Sequence, residues 1–209
     1  MKYVWLLMLC MITTPAAAAE RVLLVLGDSL SAAFGIPAED GWVALLQQRL
    51  DGRTTSWRVV NAGISGDTTA GGVSRLPRLL ELHRPDLVVL ELGSNDGLRG
   101  FGFDQIQANL DRLVKLSRDA GATPLLVGGR LPPNYGSAYA DAFHAQFSAV
   151  ADRQQVPLVP FLMEGVALKR ELMLEDGYHP NSAAQPYMLD NVWSMLEPMV
   201  KTVESAAVN

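Results

Sequence analysis

Apolar positions along this chain follow two rhythms. Short, largely apolar runs occupy residues 22–26, 58–61, 87–92, 125–128 and 158–160. Runs of that length without regular polar interruption predict strands buried on both faces. Between them, apolar residues recur every three or four positions. Trp42, Leu45, Leu46 and Leu50 share one helical face, as do Phe103, Ile106, Leu110, Leu113 and Val114. Arg112, Lys115 and Arg118 fall on the other side of that second helix. Phe143, Phe147 and Val150 repeat at the same period, and Met188, Val192, Met195, Leu196 and Met199 predict a closing helix.

Strands alternating with helices predict α/β architecture, a parallel sheet covered on both sides. Right-handed crossovers then make it a three-layer α/β/α sandwich. In such open sheets ligands bind beyond the carboxyl ends of the strands, so the residues after each strand are the ones to read. They are Gly27-Asp28-Ser29, then "NAGISGDTT" from 61, "GSNDG" from 93 and "GGRLPPNYG" from 128. Glycines, small polar groups and turn formers thus collect at one edge. Turn chemistry alone accounts for part of that.

The first residues do not belong to this pattern. Lys2 is followed by an apolar run from Tyr3 to Ile12 and then by "TTPAAAAE". That is the layout of a secretory signal peptide over residues 1–19, with cleavage expected after Ala19 and a periplasmic or secreted product. The run falls short of the roughly 20 apolar residues of a membrane span, so no stable membrane anchor is expected. Lipoprotein retention through Cys10 is disfavoured by the bulky Leu9 before it. Residues 20–209 suit one domain, on a scale of roughly 100–200 residues per domain. The single cysteine leaves with the signal, so no disulfide is expected. A net charge of −5 with scattered basic residues argues against a nucleic-acid partner. A monomer is compatible with these features.

Ser29 can act as a nucleophile only if a base takes its proton. Of the three histidines, His83 stands at an expected helix end and His144 within a helical pattern, both structural settings. His179 sits in "EDGYHPN", three residues after Asp176. A carboxylate at that spacing in a tight turn can hold the imidazole Nδ1–H and leave Nε2 facing a serine. Taken alone the spacing also suits an ordinary turn. With Ser29 it completes a triad in the order Ser29, Asp176, His179. An oxyanion hole could then draw on the backbone N–H groups of Ser29 and Gly66 and on the Asn95 amide. Gly66 as a turn former and Asn95 as a cap are the plainer alternatives. The chain lacks G-x-S-x-G, a metalloprotease H-E-x-x-H, a phosphate-binding G-x-x-x-x-G-K-[ST] and a G-x-G-x-x-G fingerprint. No metal and no cofactor are expected.

"GDSLS", "GISGDTT", "GSNDG" and "DGYHP" stand in order along the chain, and the sequence resembles the SGNH, or GDSL, hydrolases over nearly all of residues 20–209. "ELGSNDGLRGF", "RLPPNYG" and "VPLVPFLMEGV" are similar to a bacterial thioesterase and arylesterase subgroup of that family. The resemblance implies a flavodoxin-like sandwich with strand order 2-1-3-4-5. It implies Ser29 as nucleophile, Asp176 and His179 as its partners, and Ser29, Gly66 and Asn95 as the oxyanion hole. It departs from the subgroup at Ser94, Tyr178, Gly128 and Gly129, positions that bear on acyl-chain preference.

The expected reaction is hydrolysis of a small-molecule ester or thioester with an acyl or aryl group. Ile64, Leu98, Phe101, Phe103, Leu131, Pro132 and Tyr135 are candidates for an apolar substrate groove, or for loop packing alone. Residues 97–102, with three glycines, could form a mobile lid or a plain connection. A carbohydrate O-acetylesterase and a non-catalytic periplasmic binding protein are the competing readings.

Overall fold

The structure is a computed structural model that describes residues 20–206. The signal peptide expected over residues 1–19 lies outside the described residues.

All five expected strands form: β1 (Arg21–Gly27), β2 (Trp57–Asn61), β3 (Leu87–Glu91), β4 (Thr123–Val127) and β5 (Leu158–Val159). They make one parallel sheet in the order β2-β1-β3-β4-β5. The described helices are α1 (Trp42–Asp51), α2 (Thr69–His83), α3 (Ser94–Leu98), α4 (Phe103–Asp119), α5 (Ser137–Gln154) and α6 (Gln185–Ala206), with short 3-10 turns between them.

Successive side chains of a strand point to opposite faces, so a sheet covered twice needs apolar residues at both parities. β1 meets that need. Leu23 and Val25 join a core beneath α1 and α6 that includes Trp42, Leu46, Met188 and Val192. Leu24 and Leu26 join the opposite core beneath α2, α4 and α5, with Leu76, Leu110, Phe143 and Phe147. Each such side chain, taken fully out of water, contributes about 1.5–3 kcal/mol before the entropy of ordering is subtracted. The period of α4 holds too: Ile106, Leu110, Leu113 and Val114 are buried, while Arg112, Lys115 and Arg118 are exposed. In α6, Met188, Val192 and Leu196 are buried but Met195, expected on the same face, is exposed.

One helix lies outside the runs read from sequence, and one stretch departs from the sequence expectation. α2, not among the helices read from sequence, carries the same period at Val73, Leu76 and Leu80, although Gly71, Gly72 and Pro77 fall within it. It forms because Leu76 and Leu80 still reach the core and Thr68 caps its start, accepting from the Gly71 N–H at 3.2 Å. "GSNDG", read as a loop, winds into α3. Both elements begin at the edge of the sheet where the strands end.

Candidate active site

β1 ends in glycine for a steric reason. A β-carbon at Gly27 would strike the Ser31 hydroxyl and the carboxylate of Glu91, the residue paired with Gly27 across the sheet. Glycine leaves that space to Glu91, whose Oε2 accepts from the Ser31 hydroxyl at 2.7 Å and from the Asp28 N–H at 3.2 Å. The turn after β1 is therefore held from beneath by a buried carboxyl. Asp28, also buried, accepts from the Leu30 N–H at 3.0 Å through Oδ1 and from the Asn95 amide at 3.0 Å through Oδ2. Asn95 is thus tied to the turn that carries Ser29.

The second loop is fastened by Arg75, which reaches back from α2. Its guanidinium donates to the carbonyls of Ala62 at 2.5 Å and Gly27 at 3.1 Å and to the Asp67 carboxylate at 2.7 Å. One cation therefore binds the end of β1 to the loop that bears Gly66. Asp96, fully buried, accepts from the Thr69 N–H at 2.9 Å and the Thr69 hydroxyl at 2.5 Å, joining the start of α2 to α3. Gly66 has φ +78°, a conformation that favours glycine. Neither its N–H nor that of Ser29 finds an acceptor among the described residues.

The fourth segment arrives from far along the chain. The Asp176 Oδ1 accepts the backbone N–H groups of Tyr178 at 2.9 Å and His179 at 3.0 Å, which closes the turn. Its Oδ2 lies 2.8 Å from His179 Nδ1, and His179 Nε2 lies 2.9 Å from the Ser29 hydroxyl. Burial alone would raise the Asp176 carboxyl. Hydrogen bonds from the His179 backbone, the His179 ring and the Tyr178 N–H outweigh it and bring the group down to about 2. The carboxylate is therefore ionised at neutral pH. The other two histidines sit elsewhere: His83 ends α2, and His144 Nδ1 lies 3.0 Å from the Gly129 carbonyl, steadying the wall of the site.

A cavity of about 990 Å³ opens beside Ser29 and His179. Leu98, Leu131, Pro132 and Tyr135 line it, whereas Ile64 and Phe101 are exposed and lie outside its lining. Phe103 stacks on Tyr139, with ring centroids 5.3 Å apart. The far wall comes from the loop after β5, with Phe161, Met163, Leu168 and Met173. Sequence reasoning had not assigned these to the site. Phe161, Met163 and Leu168 stand in an apolar stretch that reads equally well as core. Ser94 and Gly129 face each other there. The Ser94 hydroxyl stands 2.7 Å from where a β-carbon on Gly129 would be, so the missing side chain makes room for the serine.

The model of the GDSL-like lipase/acylhydrolase family matches residues 25–185. The chain belongs to that family. It is 52% identical over 192 residues to esterase TesA of Pseudomonas aeruginosa, covering 92% of this chain and 96% of that protein. It is 47% identical over 194 residues to thioesterase 1/protease 1/lysophospholipase L1 of Escherichia coli K12, covering 93% and 91%. Among solved structures, the psychrotrophic esterase EstA of Pseudoalteromonas, inhibited by monoethylphosphonate, superposes with a TM-score of 0.81 at 41% identity, covering 87% and 99%. The five-stranded order and the flanking helices are those of the family's α/β fold.

The buried acids beneath the site make a pH prediction. Burial pushes the Asp28 carboxyl up to about 6, against the lowering effect of the Leu30 N–H, the His179 charge and the Asn95 amide. Burial, with the Asp28 charge second, pushes Glu91 well above the usual range. Both folded values exceed their unfolded ones. Their stabilising contribution is full below the ordinary carboxylate range and is lost as pH rises through about 6 and beyond. Glu91→Gln removes one of the two charges and keeps an acceptor for Ser31. Denaturant midpoints measured between about pH 5 and pH 8 should therefore fall less steeply in Glu91→Gln than in the parent. Equal slopes would rule out the pair as the source.

Proposed function

We propose that the protein is a serine hydrolase that cleaves carboxylic esters and thioesters through an acyl-enzyme. The observation that carries this reading is the unbroken chain from the Ser29 hydroxyl through the His179 ring to the Asp176 carboxylate, at 2.9 and 2.8 Å, opening on a large cavity. Ser29 attacks the carbonyl carbon while His179 Nε2 takes its proton. Asp176 holds the imidazole in the required tautomer and stabilises the imidazolium. The Ser29 and Gly66 N–H groups and the second N–H of the Asn95 amide receive the oxyanion. The alcohol or thiol leaves with the proton from His179. Water, activated by the same imidazole, then releases the acid.

The relatives' names, an esterase and a thioesterase/lysophospholipase, support the substrate class. Apolar side chains on two sides of the cavity favour an acyl or aryl group over a carbohydrate acetyl group. The layout of residues 1–19 supports export to the periplasm or beyond.

Two measurements test the reading. A fluorophosphonate should label Ser29 stoichiometrically, whereas reversible ligand binding without labelling would make the protein a binder. Rates on p-nitrophenyl acetate against longer acyl esters should favour the longer chains. A preference confined to acetyl would point instead to O-acetylesterase work.

The Asn95 role has its own test. Asn95→Ala should lower kcat by about 10²–10³-fold with little change in KM. The fold should persist, because Asp28 keeps the Leu30 N–H as a partner. Normal turnover from a folded Asn95→Ala protein would remove this residue from the oxyanion hole.

A further inference from the structure

Both edges of the His179 ring are occupied by hydrogen bonds, to Asp176 and to Ser29. Those bonds require the imidazole to keep one plane. Yet His179 stands in a turn open to water, with its side chain 24% exposed and that of Asp176 40% exposed. Core packing alone does not fix the ring. One of its faces is covered by Phe34, whose ring centroid lies 4.4 Å from that of the imidazole, tilted by 39°.

The backbone spends conformational freedom on placing that phenyl ring. Ala33 has φ +56° and Gly35 φ +76°, so Phe34 lies between two left-handed residues. A left-handed alanine is unfavourable and persists only where its surroundings impose it. Here Ala33 is buried, its β-carbon pressed toward Gly41, where a further β-carbon would stand only 2.8 Å away. The Ala33 carbonyl accepts from the Ile36 N–H at 3.3 Å. A β-carbon on Gly35 would come within 2.6 Å of Leu174 Cδ1, and the Leu174 N–H donates to the His179 carbonyl at 2.7 Å. The turn that carries Phe34 and the turn that carries His179 are therefore packed together at a second point. The Phe34 N–H also donates to the Ser29 carbonyl at 3.2 Å. Phenyl ring and nucleophile belong to one small unit. Even so, Phe34 remains 47% exposed, an unfavourable placement for a residue serving the core alone.

We propose that Phe34 is a positioning residue for the Ser29–His179–Asp176 triad: its ring holds the imidazole in the plane in which both edge bonds form and keeps water off that face. This rests on the hydrolase reading above. Rotation of the imidazole about its Cβ–Cγ bond breaks both edge bonds together, and the phenyl face blocks that rotation on one side. When His179 becomes cationic in the reaction, the same aromatic ring lies within the roughly 6 Å at which a π-face favours a cation.

The experiment uses the purified protein with Phe34→Ala, Phe34→Leu and Phe34→Tyr. It reads hydrolysis of an aryl and an alkyl butyrate, labelling of Ser29 by a fluorophosphonate, and the downfield proton resonance of the His179–Asp176 bond. Phe34→Ala should lower kcat and slow labelling by roughly 10- to 100-fold, with KM nearly unchanged and the loss shared by both esters. Its downfield resonance should broaden or vanish. Phe34→Tyr should restore rate and resonance; Phe34→Leu, of similar bulk but without a flat face, should not. Full rates in Phe34→Ala would overturn the proposal. So would equal rescue by leucine, which means bulk alone, or a KM effect confined to the aryl ester, which means contact with substrate. Failure of the parent protein to label would overturn the triad reading itself. A labelled parent with an equally fast Phe34→Ala variant overturns only the role of Phe34.

Discussion

Ser29→Ala is expected to abolish turnover down to a background about 10⁶-fold below the parent kcat, without unfolding the protein. The size follows from the interdependence of the groups. Without an attacking hydroxyl, His179 has no proton to take and Asp176 no imidazolium to stabilise. Only binding and the oxyanion donors remain, and in comparable triads these alone leave about 10³–10⁴-fold over the uncatalysed reaction. The fold should be indifferent, because Ser29 is only half-buried and its recorded side-chain bond goes to His179. The turn is held by other groups, Glu91 through Ser31 and the Asp28 N–H, and Asp28 through the Leu30 N–H. Thermal midpoints should match within a few degrees, while hydrolysis of p-nitrophenyl butyrate and labelling by fluorophosphonate both vanish. Hydrolysis at a measurable fraction of the parent rate, in a preparation shown by mass to be the variant, would mean that another nucleophile does the work.

Why these residues could be found in sequence, and others could not, depends on how local their signals are. The strands announce themselves because a sheet covered on both faces needs apolar residues at both parities, and 22–26 and 87–92 supply them. β5, only two residues long, was legible from the same apolar content, though its limits were not. Asp176 and His179 were legible because their relation is contained in one four-residue turn. Ser29, Gly66 and Asn95 were legible because each follows a strand end, where an α/β sheet places its ligand. Arg75 was not. It sits inside a helix, where a charged residue normally reads as solvated surface, and only the assembled fold shows it turned toward Gly27, Ala62 and Asp67. Glu91 stands as one charged residue inside the apolar run 87–92. Its burial depends on the glycine opposite, across a pairing that no local pattern encodes. Phe34 needed both the left-handed turn at Ala33 and a partner from the other end of the chain.

The same groups explain how a site assembled from distant segments is held in one arrangement. Each catalytic loop is fastened to its neighbour by a buried or half-buried polar group: Glu91 beneath the turn of Ser29, Asp28 to Asn95, Asp96 to Thr69, and Arg75 between the ends of β1 and β2. Buried polar groups stabilise little on balance, yet leaving one unpaired is expensive, so such links specify one arrangement. Among the described residues, the turn of Asp176 and His179 has no comparable link through a buried charge. Its contacts to the rest of the site pass through the Ser29 hydroxyl, the ring of Phe34 and the packing of Leu174 on Gly35.

That exposed turn makes Asp176→Asn the second large prediction, with an expected loss of about 10⁴-fold in kcat. The substitution preserves shape, so the loss comes from the charge it removes and the proton it misplaces. In the parent, Oδ1 accepts two backbone N–H groups, from Tyr178 and His179, and Oδ2 faces His179 Nδ1. An asparagine has one oxygen to offer. Two fixed backbone donors hold that oxygen on the Oδ1 side, because turning the amide over would set its NH₂ against both of them. The NH₂ must then face Nδ1 and can bond only to its lone pair. The imidazole is driven to the tautomer with the proton on Nε2, toward Ser29, where it can no longer act as a base. Turnover of Asp176→Asn should fall without a matching change in KM. Asp176→Ala, which imposes no tautomer, should lose less if tautomer choice dominates and as much if stabilising the imidazolium dominates. Retention of most of the parent rate by Asp176→Asn, with the turn intact by crystallography, would exclude Asp176 as the partner that orients His179.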